Sequence, residues 1–251
     1  MAQSEVSQPG IDHPNGIDHP NGIDHPNGID HPIFSESVRR IRGWLEPTGI
    51  YQGLSPLEQE LLERLVHSSG DLELAPLVAW SPQACALGAA AVAQGAVILT
   101  DTAMAATAVA PMARRTFANP VHTLLEWAPP SVPDGAPASE TRSSLGMAAA
   151  LGALGGESLG GPPQDTRPLV VLIGSAPTAL ETLLDLVAAG SCPSPALVIG
   201  MPVGFVGVAE SKRHLAESGL VHLRLEGPKG GAGLVAAACN ALLRRAWLEA
   251  A

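Results

Sequence analysis

Apolar and polar positions follow two different periods along this chain. Five short apolar runs carry the strand signature: AVILT (96–100), VHTLLE (121–126), LVVLIG (169–174), ALVIG (196–200) and VHLRLE (221–226). Short apolar runs bounded by turn residues suit strands buried on both faces of a parallel sheet. The strongest is LVVLIG and the weakest VHTLLE. Between the strands, helical spacing prevails. On 55–69, Leu57, Leu61, Leu62, Leu65 and Val66 form one stripe. Ser55 suits the N-cap, Pro56 the first helical position, and Glu58 completes a capping box, while Gly70 stops the helix. Ser81-Pro82 opens another helix in the same manner, and Gly95 ends it. Further helices are predicted over 35–45, 142–153, 178–190, 208–218 and 232–248, with Pro- and Gly-rich loops at 129–138 and 155–168.

This alternation predicts an α/β fold: a mainly parallel five-stranded sheet with helices on both faces, a Rossmann-like three-layer arrangement. In such sheets ligands bind beyond the carboxyl ends of the strands. The loops to watch are therefore Asp101–Met104, Ser175–Thr178, Met201–Phe205 and Gly227–Gly233.

Residues 11–32 break both periods with three copies of IDHPNG and a truncated fourth. One Ile in six residues builds no buried face, and Pro and Asn-Gly favour turns. Residues 1–32 are expected to be a disordered tail, leaving 33–251 as the folded domain. The tail's His13, His19, His25 and His31 are weak metal-binding candidates at most, since His-rich tracts do bind metals. No metal site is assigned.

Composition narrows the function. Hydrophobic residues make up 46% of the chain but aromatic ones only 3%, so Ala, Leu, Val and Gly must build a closely packed core. The net charge of −10, −5 of it in residues 1–32, argues against a nucleic-acid groove. Cys85, Cys192 and Cys239 stand far apart without a CxxC, as expected of reduced thiols in a cytosolic protein. The N-terminus lacks a basic segment followed by an apolar one, and no apolar run approaches the ~20 residues of a membrane helix. A cytoplasmic protein without membrane or nucleic-acid partners is expected.

Few residues stand out chemically. The glycine-rich turn 227–233, with Gly230 and Gly231, presents backbone N–H groups ahead of a helix, an arrangement suited to anions. It has neither the GxGxxG nor the P-loop order, and Gly174 is followed by Ser-Ala-Pro, so a nicotinamide enzyme is disfavoured. Arg142 can grip a carboxylate with its planar fork, or pair with Glu140. Lys212 is either a cation for a ligand carboxylate or an ordinary solvated lysine. His67 falls roughly opposite the stripe of its helix, in the last turn, where the dipole favours positive charge. By position alone it reads as a surface histidine.

Taken together and in order, SESVRRIR (35–42), VHSSGD (66–71), TDTAM (100–104), ETRSSLGM (140–147), IGSAPTAL (173–180), IGMPVGFVGVAESK (199–212) and GPKGGAG (227–233) resemble the precorrin-8X methylmutase family, called cobalt-precorrin-8 methylmutase in the anaerobic branch. The resemblance spans about 31–251. Ser175, Ala232 and Val38 depart from it, where many relatives carry Asn, Ser and Phe. It implies a homodimeric α/β isomerase of vitamin B12 biosynthesis, moving a methyl group from carbon 11 to carbon 12 of precorrin-8X or cobalt-precorrin-8. No cofactor is implied, because the migrating methyl is already on the substrate. The resemblance places the catalytic histidine at His67. It places pocket residues at Ser37, Asp101, Met104, Thr141, Arg142, Ser143, Glu210, Ser211, Lys212, Gly230 and Gly231. A corrinoid carrier with the same surface and no turnover is the competing reading.

Overall fold

The computed structural model describes residues 31–137, 140–154 and 167–250. The repeat tail, apart from its last residues at the start of the first helix, and most of the 155–168 loop lie outside the described residues.

Helix α1 (Pro32–Leu45) precedes α2 (Pro56–Ser69), and β1 (Val78–Trp80) leads to α3 (Ala84–Ala93) and β2 (Val97–Thr100). Then come α4 (Ala103–Arg115), β3 (Val121–Thr123), α5 (Arg142–Leu154), β4 (Leu169–Ile173) and α6 (Pro177–Ala188). The chain closes with β5 (Leu197–Gly200), α7 (Val208–Glu217), β6 (His222–Leu225) and α8 (Ala232–Ala250).

The sheet has six strands, not five, in the order β1-β6-β5-β4-β2-β3. All neighbours are parallel except β1, which pairs antiparallel with β6, Val78 facing Leu225. This edge strand escapes the apolar pattern because it is three half-buried residues behind a 3-10 segment containing Pro76. Helix α4 also went unpredicted. Its buried face is Ala105, Val109 and Ala113, which are small, and Pro111 interrupts the run while remaining exposed. The expected start of α3 at Ser81 is likewise corrected. Ser81 Oγ instead accepts the His222 N–H at 2.9 Å, tying β1 to β6, and the helix begins after Gln83, whose φ is +63°. The 121–126 run is strand only to Thr123, where Thr123 and Glu126 form a capping box on a 3-10 turn.

Strand side chains alternate between the two faces with period two. Ile98, Val170, Leu172, Leu197 and Ile199 join the core beneath α2, α3, α4 and α8. Leu99, Val171, Ile173 and Val198 join that beneath α5, α6 and α7. A third, smaller cluster of Ile41, Leu45, Leu62, Val66 and Ala75 fastens α1 to the outside of α2. Glu63 in this interface is 1% exposed. Both its oxygens accept from Arg42, at 2.8 and 3.0 Å, and the Tyr51 hydroxyl adds a bond of 3.1 Å. Cys85 and Cys239 are free and buried, and burial pushes both thiols up to about 12. Among the described residues, no helix is long and apolar enough to cross a membrane.

Candidate functional site at the carboxyl ends of the strands

From β2 the chain moves out to β3, and from β4 it moves the other way through β5 to β6. The order therefore reverses between β2 and β4, the place where open α/β sheets leave a crevice for ligands. Asp101 follows β2 there and is 2% exposed. Its Oδ2 accepts the backbone N–H groups of Ser175 at 2.6 Å and Ala176 at 2.8 Å, at the turn into α6. Burial raises its carboxyl above the usual carboxylate range, and these N–H donors oppose that shift. Asp101 Oδ1 is buried without a hydrogen-bond partner among the described residues.

Backbone bonds lace the neighbouring loops together. Met201 N–H donates to Ile173, Val203 N–H to Gly174, Gly204 N–H to Pro228, and Gly231 N–H to Met201. A side chain on Gly230 would drive into the Met201 carbonyl oxygen, and Gly231 has φ +136°. Only glycine fits this approach. Lys212 completes the lacing. It is 1% exposed, and its Nζ donates to the Gly227 and Lys229 carbonyls, both at 2.7 Å. Neither sequence reading of Lys212 described this. The ammonium is a buried strut beneath the glycine-rich turn, lowered by burial to about 8.

His67 lies at the same end of the molecule. Arg244, late on α8, bonds Glu60, early on α2, at 2.7 Å, while Lys229, just ahead of α8, pairs with Asp71, just past α2, at 2.5 Å. The two helices are thus antiparallel, and the last turn of α2 lies beside the first turn of α8. His67 is exposed, as its place opposite the stripe predicted. Its Nδ1 is 2.7 Å from Ser37 Oγ on α1. The Phe34 ring stands against the imidazole at 5.0 Å between centroids and 86° between planes. The Arg64 guanidinium covers Phe34 at 4.3 Å. Neither Phe34 nor Arg64 stood out in the sequence: Arg64 lies one turn before His67 on α2, and only the crossing of α1 over α2 brings Phe34 against both.

The remaining candidates sit nearby but apart from this pair. Thr141 and Ser144 cap α5 reciprocally, and Thr141 Oγ1 meets Thr178 Oγ1 at 2.8 Å. Arg142 Nε donates to the Pro129 carbonyl at 2.8 Å, not to Glu140, and Ser143 is half-buried. These residues belong to the opposite face of the sheet from α2. Glu210 is exposed on the first turn of α7, whereas Ser211 is fully buried and its hydroxyl donates to Val208. Met104 is 70% exposed at the start of α4. Across the site, Val203, Phe205 and Val206 add an apolar fringe that is also exposed. Among the described residues no cluster of His, Cys, Asp and Glu could hold a metal ion.

The fold and these loops define a doubly wound α/β protein whose polar and apolar site groups gather past the strand ends. Residues 32–245 match the family model described as precorrin-8X methylmutase, and the chain belongs to that family. It is 39% identical to the precorrin-8X methylmutase of Pseudomonas aeruginosa over 84% of this chain and 93% of that one. It is 34% identical to the cobalt-precorrin-8 methylmutase of Synechocystis sp., over 78% of this chain and 88% of that one. The crystal structure of precorrin-8X methylmutase from Thermus thermophilus superposes with a TM-score of 0.70 at 35% identity, covering 86% of this chain and 96% of that one.

Proposed function

We propose that this protein is a cytoplasmic isomerase of cobalamin biosynthesis, working as a homodimer. It moves the methyl on carbon 11 of precorrin-8X, or of cobalt-precorrin-8, to carbon 12, giving hydrogenobyrinate or cobyrinate. The observation that carries this reading is the Ser37–His67 pair, 2.7 Å apart at the carboxyl end of the sheet, in a chain of the methylmutase family.

The chemistry follows from what a serine partner permits. A hydroxyl can donate or accept. As an acceptor it satisfies His67 Nδ1–H both in the doubly protonated cation and in the neutral ring, with its hydrogen on Nδ1, that remains once Nε2 has given up its proton. Nε2 is left to give a proton to a ring nitrogen of the substrate and take it back. Protonation makes the conjugated ring electron-poor. The bond from carbon 11 to the methyl then breaks as the bond to carbon 12 forms, a 1,5-sigmatropic shift with no net gain or loss of atoms. General acid assistance of this kind is worth roughly 10²–10⁴-fold, and positioning of the ring supplies the rest.

The substrate is a broad apolar ring fringed with carboxylates. Met104, Val203 and Phe205 offer it apolar contact, and the terminal nitrogens of Arg142 and the N–H groups of the 227–233 turn suit its carboxylates. Lys212 contributes by holding that turn in shape.

The test is incubation of the purified protein with precorrin-8X and, separately, its cobalt form, while the visible spectrum is followed. Conversion of either supports the reading, and the preferred substrate assigns the branch. Binding of both without conversion favours the carrier, and no binding of either overturns the proposal.

A further inference from the structure

We infer that Phe34 is a positioning residue for His67, clamped between His67 and Arg64 so that the first turn of α1 holds Ser37 against the imidazole. The inference rests on His67 as the proton donor, but its geometry stands independently. Arg64 and His67 are three residues apart on α2, one turn on the same face. Phe34 spans both: the guanidinium lies 4.3 Å over its ring, and the imidazole meets it edge-on at 5.0 Å. An aromatic face attracts a cation, and perpendicular aromatic pairs are favoured over stacked sandwiches. Ser37 follows Phe34 by three residues, so the same face of α1 delivers its hydroxyl to Nδ1 at 2.7 Å.

Dense packing does not explain the placement of Phe34. A cavity of about 490 Å³ opens beside it, lined also by Val38, Arg42, Tyr51 and Glu63. Among Pro32–Ser35, Phe34 alone is not exposed. First turns fray when little holds them. Here the π contacts of one ring join the turn bearing Ser37 to the turn bearing His67. Leucine would preserve the apolar contact and lose the ring; tyrosine would keep the ring.

The experiment compares Phe34→Leu and Phe34→Tyr with wild type, in the full chain, by side-chain ¹⁵N NMR of His67 and by steady-state kinetics. In wild type, the His67 nitrogens should report one fixed tautomer. In Phe34→Leu they should report a mixture, with kcat down on the order of tenfold, as expected of a misplaced catalytic group, and KM changed by less than about twofold. Phe34→Tyr should restore the wild-type spectrum and most of kcat. Unchanged His67 signals in folded Phe34→Leu overturn the inference. If the signals change but His67→Ala still turns over, Phe34 positions His67 and the catalytic reading of His67 is what fails.

Discussion

Ser37 and Asp101 both hold polar groups at the strand ends, but their losses should be read differently. Ser37 Oγ lies 2.7 Å from His67 Nδ1, and in the proposed reaction it accompanies His67 through a proton cycle. Ser37→Ala should lower kcat by roughly tenfold, a fraction of the 10²–10⁴ that a general acid supplies, with KM and melting temperature little changed. Steady-state kinetics alongside thermal unfolding will separate the two. Asp101 instead secures the turn into α6 through two backbone N–H groups. Asp101→Ala strands those donors and should cost about 2–3 kcal/mol of stability, measurable by urea unfolding. Asn can turn its carbonyl toward the same donors, so Asp101→Asn should stay within about 1 kcal/mol of wild type.

Among the elements, α1 and α2 act as one unit because Glu63 joins them. Its bonds to Arg42 and Tyr51 lie between the helices, and burial raises the Tyr51 hydroxyl well above its usual range, keeping it a donor. Glu63→Ala should destabilise the fold by about 2 kcal/mol, the range for hydrogen bonds to a charged group. It should also loosen the register of Ser37 with His67, detectable as a fall in kcat. Element by element, the chain was legible where a local signal existed. The capping box and Gly70 stop of α2 appear as read, with Gly70 at φ +66°. Of the five apolar runs, four stand as strands for nearly their whole length and the 121–126 run only to Thr123. β1 and α4 were illegible because their patterns arise only in context: one is an edge strand defined by its partner β6, the other a small-residue helix that packs on α8. The same division holds at the site. His67 could be placed on its helix from periodicity, but its partners Ser37 and Phe34 come from another helix, and Lys212 meets the carbonyls of the 227–233 turn only in the folded chain.

For the molecule as a whole, the carboxyl end of the sheet is braced by buried polar groups, and Lys212 should leave a pH signature. Its folded value, about 8, lies below the ordinary 10.5. Below about 8 both folded and unfolded chains hold the proton, and burial of the charge weighs fully against the fold. Between about 8 and 10.5 the unfolded chain still holds it while the folded one releases it, so the contribution of Lys212 to stability rises with pH. The unfolding free energy of wild type minus that of Lys212→Met should therefore rise across that window and be flat below it. A constant difference would show that the ammonium is not held as described.

All of these features serve one claim, that His67 at the strand ends moves a proton so that a methyl can move between adjacent carbons. The most direct measurement is single-turnover conversion of substrate carrying a ¹³C-labelled methyl on carbon 11, followed by NMR with wild type and His67→Ala. The account predicts that the label appears on carbon 12 with wild type, without exchange between molecules, and that His67→Ala is slowed by at least about 10²-fold while still binding the ring. Transfer at the wild-type rate by His67→Ala, or label lost to another molecule, would contradict it.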